Sequence, residues 1–445
     1  MAQRLHTKEK THFGVCIVKH QNPKGKLFSF GLASTFALGL TPFLFNLVVD
    51  PYGMNNAVDL DLNKFKVSER ADYPLWKMIN FPKDGAEIVI LGDSRARALR
   101  EKIWKGLGLD AFNFAYGGAT IDEIYDTFQH VKSFPKLKTL VVSLPLRSFD
   151  PGHRGGLNRV PEAKKLASNP VGYYSSWFVT KIGIRNLEER YPELFQTLRN
   201  FVPPIISGAK AADRKRAHEI ALTDLLDREY CKDCSLPKVL NSVPHPTFAR
   251  HLNLGLGRGY SYWGRLWTTT AIQRDLPTRF ERQVRKNGAN DWDGFQFSKD
   301  LWGKIEEIAK WSKDNDVQLV FVIPPTIVEM QERMAGFGFS DLNHRFRVQL
   351  AELAPVFDFD FNSVFTRDLK KFTDAYHFKA KPAHAMVGEI TQFISQDKRV
   401  LKRAKKKRDS IICPIVKADT KNSFSDGITT VDEGISCRIW RWNDA

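Results

Sequence analysis

Five short apolar runs, each set between segments of helical spacing, constrain this 445-residue chain more than any other feature. AEIVILG (86–92), DAFNFAYGG (110–118), LKTLVVSLPL (137–146), VQLVFVIPP (317–325) and PVFDFDF (355–361) have the length and the β-branched or aromatic content of strands. Helical patterns separate them: 93–107, 119–134, 299–315, 327–334, 341–354 and 383–396. In the third of these, Trp302, Ile305, Ile308 and Trp311 share one apolar face. Strands that alternate with helices need crossover connections, which predicts an α/β fold, a three-layer α/β/α domain with a mostly parallel sheet. That domain is expected over 86–400. From about 151 to 295 the alternation gives way to Pro, Gly, Arg and aromatic residues, as in a large insertion. Chemistry in such sheets gathers outside the carboxyl ends of the strands.

Composition excludes disorder, at 42% hydrophobic and 26% charged, but the formal charge of +17 first suggests a nucleic-acid binder. Its location argues otherwise. Residues 1–26 hold six cations against one acid, and residues 398–409 hold eight against one. The excess therefore sits in two short runs rather than on a domain surface, and no nucleic-acid partner is expected. Residues 50–85 read as a polar connector, and 401–445 as a basic, irregular tail.

Between the first basic run and Asp50 lie 23 residues, 27–49, without a charged side chain. At about 1.5 Å per residue they make roughly 34 Å of helix, enough to cross a hydrocarbon core of about 30 Å. Gly39 and Pro42 are tolerated in such helices. A cleaved signal peptide is the rival, but the run is longer than a typical apolar h-region and no small-x-small site follows it. A single transmembrane helix before the domain is the favoured reading. The basic flank places 1–26 in the cytoplasm and the domain outside the cell inner membrane.

Cys231 and Cys234, in CKDC, are compatible with a disulfide, a redox pair or half a zinc site; an inert loop pair is preferred. No second pair completes a four-ligand set, so neither a metal nor another cofactor is expected.

Two segments carry residues of chemical interest. Gly92-Asp93-Ser94 ends the first strand, where a hydroxyl would stand at the mouth of the sheet near unpaired N–H groups that can stabilise an oxyanion. Asp and Ser are also ordinary helix caps. Asp374-Ala375-Tyr376-His377 follows the last of the five strands. A carboxylate three residues before a histidine can accept the Nδ1 proton and leave Nε2 to take a proton from serine. Alone, the pair also fits a capped turn beside a surface histidine. Together the segments bring Ser, Asp and His to one rim.

These residues resemble the SGNH (GDSL-type) hydrolase superfamily, whose first block contains GDS and whose last contains Asp-x-x-His. The resemblance implies Ser94 as nucleophile, His377 as general base and acid, Asp374 as its orienting carboxylate, and the N–H groups of Ser94 and Gly118, in NFAYGGAT, as oxyanion donors. Where the family has Gly-x-Asn-Asp after the third strand, this chain reads SLPLRSFD, without the asparagine. Arg147 is a candidate replacement, and Arg95 and Arg147 are candidate substrate contacts. The apolar run, DPYG after it, GDSR, and Phe372, Asp374 and His377 in an F-x-D-x-x-H ending are similar to membrane-anchored envelope proteins of alginate O-acetylation and teichoic acid D-alanyl transfer. That implies an esterase or O-acyltransferase acting on an envelope glycan, with a membrane-bound protein as a possible acyl donor. The alternative is a catalytically inactive glycan-binding or assembly factor, which the missing asparagine favours. Tyr260, Tyr262, Trp263 and Trp267 suit either sugar stacking or core packing.

Overall fold

The computed structural model describes residues 40–55, 67–201, 280, 283–408, 413, 415–417 and 437–441. The basic segment 1–26, residues 27–39, Cys231 and Cys234, and the aromatic stretch 257–267 lie outside the described residues.

Strands β1 (Ile88–Leu91), β2 (Ala111–Asn113), β3 (Thr139–Ser143), β4 (Gln318–Ile323), β5 (Val356–Asp358), β6 (Ile415–Lys417) and β7 (Arg438–Arg441) form one sheet in the order β2-β1-β3-β4-β5-β7-β6. The first five are mutually parallel, with Ile88 opposite both Ala111 and Thr139, and Thr139 opposite Gln318. Successive side chains enter opposite layers. Val89, Leu91, Val142 and Phe321 pack with helices Ile121–Val131, Lys299–Asp314 and Ser340–Leu353, while Ile90, Val141, Val320 and Phe357 pack with Trp104 and helix Ala380–Ile394. Because both faces are covered, these strands read as continuous apolar runs rather than alternating ones. Full burial of each such side chain contributes roughly 1.5–3 kcal/mol.

Three segments differ from expectation. The tail read as irregular supplies β6 and β7; β7 runs antiparallel to β5, and Cys413 is disulfide-bonded to Cys437. Trp440 lies buried in this edge, its Nε1–H donating to Asp358 Oδ2 at 3.3 Å. Strands of three and four residues are too short to leave a period in the sequence. Within the connector 50–85, helices Val67–Ala71 and Tyr73–Asn80 pack on the domain and bury Leu75 and Lys77. The helix expected over 93–107 is broken into a 3₁₀ turn, Ala96–Ala98, and a helix, Glu101–Lys105. Here Asn113 Nδ2 donates to Ala96 O and Leu99 O, and Trp104 Nε1 to Leu99 O, taking carbonyls that a continuous helix would use.

Among the described residues no helix is long and apolar enough to cross a membrane. Residues 40–49, the end of the uncharged run, are helical and pack on the domain along one side. Asn46 Nδ2 donates to Tyr174 O and Ser176 O at 2.7 and 3.1 Å, and a methyl group at Gly183 would stand 2.8 Å from the Phe45 ring.

Candidate active site

The chain enters the sheet at β1, passes to β2 on one side and then crosses to β3 on the other, so the loops after β1 and β3 diverge above the centre of the sheet. This is where an open α/β sheet leaves a crevice. Ser94 follows β1 at that point, behind Gly92 with φ +144°. A methyl group at Gly92 would lie 2.7 Å from Ser143 Cβ and 3.0 Å from Ala96 Cβ, so only glycine lets the turn pass between β3 and the 3₁₀ turn.

Ser94 Oγ and His377 Nε2 are 2.7 Å apart, across 283 positions of sequence. His377 Nδ1 lies 2.8 Å from each oxygen of Asp374, and Asp374 Oδ1 also accepts the N–H groups of Tyr376 and His377, both at 2.9 Å. Asp374 is 1% exposed. A carboxylate buried with this set of donors fixes the imidazole with Nδ1–H toward Asp374 and Nε2 facing the serine. The three expected catalytic residues are thus brought together by the fold.

Gly118 has φ +60° at the end of the loop after β2. That loop is held from beneath by Lys77, whose Nζ donates to Asn113 O and Ala115 O at 2.5 and 2.6 Å. Burial, reinforced by nearby Arg97, drives the Lys77 amine well below its ordinary pKa. Arg159 Nη2 and Tyr73 OH donate to Gly117 O. With its carbonyls tied back in this way, the loop keeps its remaining N–H groups for other acceptors. Among the described residues, neither the Ser94 nor the Gly118 N–H donates to a protein acceptor.

Both arginines expected to meet substrate are engaged with carboxylates. Arg95, 2% exposed, donates through Nε and Nη2 to Asp93. Burial would raise the Asp93 carboxyl pKa, but its pairing with Arg95 and the proximity of Arg147 more than offset this and hold it well below the usual carboxylate range. Arg147 Nη1 donates to Asp291 Oδ2 at 2.9 Å, Nη2 is 3.8 Å from Asp93, and the guanidinium lies 4.7 Å from the Tyr376 ring centroid. Tyr376 OH donates to the same Asp291 oxygen at 2.8 Å. A network therefore joins Asp93, the neighbour of Ser94, to Tyr376, the neighbour of His377. Gln283 Oε1 adds a bond from Ala375 N–H at 3.0 Å.

Lys77, Asn113, Gln283 and Asp291 have no signal in the sequence, because each acts on a segment distant in the chain. Tyr376 stood inside the Asp-x-x-His segment, where its place beside His377 was the clue. Among the described residues no group of His, Cys, Asp and Glu side chains is placed to hold a metal ion. Compared with known proteins, the chain matches no family model and no curated protein.

Proposed function

We propose that this chain is a serine esterase or O-acyltransferase of the SGNH (GDSL-type) kind, acting on acyl esters of cell-envelope carbohydrate. The observation that carries the reading is the 2.7 Å contact between Ser94 Oγ and His377 Nε2, with Asp374 behind the imidazole. Ser94 attacks the acyl carbon as His377 Nε2 takes its proton, and Asp374 stabilises the imidazolium. The N–H groups of Ser94 and Gly118 receive the negative charge that develops on the acyl oxygen. Collapse expels the alcohol, protonated by His377, and leaves an acyl-Ser94 ester. Water or a sugar hydroxyl, deprotonated by His377, then attacks that ester and releases Ser94.

The uncharged run supports a single-pass anchor in the inner membrane, with the amino terminus cytoplasmic and the domain outside. The Cys413–Cys437 disulfide supports an oxidising compartment. A membrane-bound acyl-donor protein is the partner this placement favours.

The inactive reading draws on the missing asparagine, since Arg147, the candidate replacement, has one N–H committed to Asp291. Its Nε–H has no protein acceptor among the described residues, so a donor remains at that corner.

Ser94→Ala and His377→Ala are expected to abolish p-nitrophenyl acetate turnover and labelling by a serine-directed phosphonate. Unchanged turnover and labelling in Ser94→Ala would sink the assignment. Glycan binding that survives Ser94→Ala, with no acyl-enzyme trapped in the unsubstituted chain, would favour the inactive factor.

A further inference from the structure

Eight of the eleven large hydrophobic side chains that stand exposed among the described residues fall on two stretches, 44–48 and 171–194. Exposed apolar side chains scattered singly are ordinary, but such concentration marks a covered surface. Leu44 and Val48 are one turn apart on the helix 40–49, at 53% and 41% exposure. Val171, Trp177, Phe178 and Ile184 lie on helices Pro170–Tyr174 and Trp177–Arg190, with Val171 at 67% and Trp177 at 59%. The helices adjoin: Asn46 bonds to the carbonyls of Tyr174 and Ser176, and Gly183 abuts Phe45.

Position in the chain decides what covers this face. Helix 40–49 is the end of the 23-residue uncharged run, and its beginning leads directly into residues 27–39. Those 13 residues alone make only about 20 Å of helix, short of a hydrocarbon core of about 30 Å. A span therefore needs much of 40–49 as well, which brings whatever packs on that helix to the level of the lipid head groups. The side chains found there fit the setting. Trp177 and Phe178 are aromatic, and Lys181, exposed on the same helix, is a cation whose stem can lie along apolar surface. Asn46, the polar residue near the end of the run, has its amide donors bound within the protein rather than open to lipid.

We infer that helices 170–174 and 177–190 dock the domain onto the bilayer, with Val171, Trp177, Phe178 and Ile184 in the lipid interface beside Leu44 and Val48. The inference rests on the membrane anchor proposed above. It makes the first part of the insertion a membrane-seating element and restricts the domain to one orientation above the bilayer.

The test uses the full chain in phospholipid vesicles, with the photo-crosslinking residue p-benzoylphenylalanine placed by separate substitutions at Trp177, at Phe36 and at Lys138. Lys138 is an exposed control beside the amino end of β3. Mass spectrometry after illumination is expected to find lipid adducts at 177 and 36 and none at 138. Adducts at 36, with only protein adducts or none at 177, would overturn the docking face and leave the anchor standing. Adducts at 177 without any at 36 would keep the docking face and remove the span. Absence at both positions would remove both.

Discussion

The nucleophile and the base of the candidate triad are held in different ways. Ser94 stands on a turn whose geometry is built locally: Gly92 lets the backbone through, and Asp93 and Arg95 satisfy one another two residues apart in a site nearly closed to solvent. His377 stands on a loop whose near contacts, to Asp374 and Thr373, are local, but whose position depends on remote groups. Gln283 and Asp291, at the far end of the insertion, and Arg147, after β3, reach it through Ala375 and Tyr376. The first arrangement ties the site to the stability of the whole domain. The second ties it to groups that lie far away in the chain.

The largest expected effect is at the nucleophile end. Asp93→Ala leaves the Arg95 guanidinium buried and without its carboxylate, a change that typically costs about 3–5 kcal/mol. The urea midpoint should fall accordingly. Asp93 is also expected to make stability acid-sensitive. Its carboxyl pKa is depressed in the folded chain, so the stabilisation is complete above the ordinary carboxylate pKa and is lost as pH falls through the lower folded value. A variant as stable as the parent would break the contrast at its stronger side.

At the base end the expected loss is more in rate than in stability. Asp291→Ala removes the shared acceptor of Arg147 and Tyr376; Arg147, at 18% exposure, still reaches solvent and keeps Asp93 3.8 Å from Nη2, while the buried Tyr376 hydroxyl loses its partner. Phosphonate labelling of Ser94 should slow by roughly 10- to 100-fold, the range that a small misplacement of a catalytic group produces, with a smaller fall in the urea midpoint than Asp93→Ala gives. Asp291→Asn, which keeps an acceptor for Tyr376, should recover part of the rate. Equal loss of stability in the Asp93 and Asp291 variants would show that the two ends are not held differently.

The same division governs how much could be read from the sequence. Strands β1, β3 and β4 announce themselves because both faces of each are covered; Ser94 falls just after β1, while Asp374 and His377 come together within four residues, beyond β5, helix Val364–Arg367 and the 3₁₀ turn Leu369–Lys371. The 3₁₀ turn after Ser94 could not be read, since Asn113, on another strand, takes the carbonyls that would have continued a helix. Asp291 was equally hidden: it is one acid in an insertion without periodicity, and its role exists only once β3 and the His377 loop converge on it. Arg95 and Arg147 were legible as cations near the serine, but not as cations already engaged by Asp93 and Asp291.

The smallest expected effect separates the two ends by pH. His130, in the last turn of helix Ile121–Val131, sits among the rings of Phe81, Phe114 and Phe134. Burial, with a smaller contribution from Lys164, pushes the imidazole pKa down to about 4. Above about pH 6.5 the ring is neutral whether the chain is folded or not, and its packing is fully available. Between there and about 4 the unfolded chain takes up a proton that the folded chain does not, so stability falls as pH falls. The ring is only partly buried, which reduces the expected loss across this window to about 1–2 kcal/mol. His130→Phe should flatten that part of the stability profile, measured by urea midpoints at a series of pH values. Its labelling profile should keep the shape of the parent's, because the proposed mechanism passes the Ser94 proton to His377 and not to His130. If His130→Phe instead changed the pH dependence of labelling and left that of stability intact, the helix that follows Gly118 would be coupled to His377, and the separation of the two ends would fail.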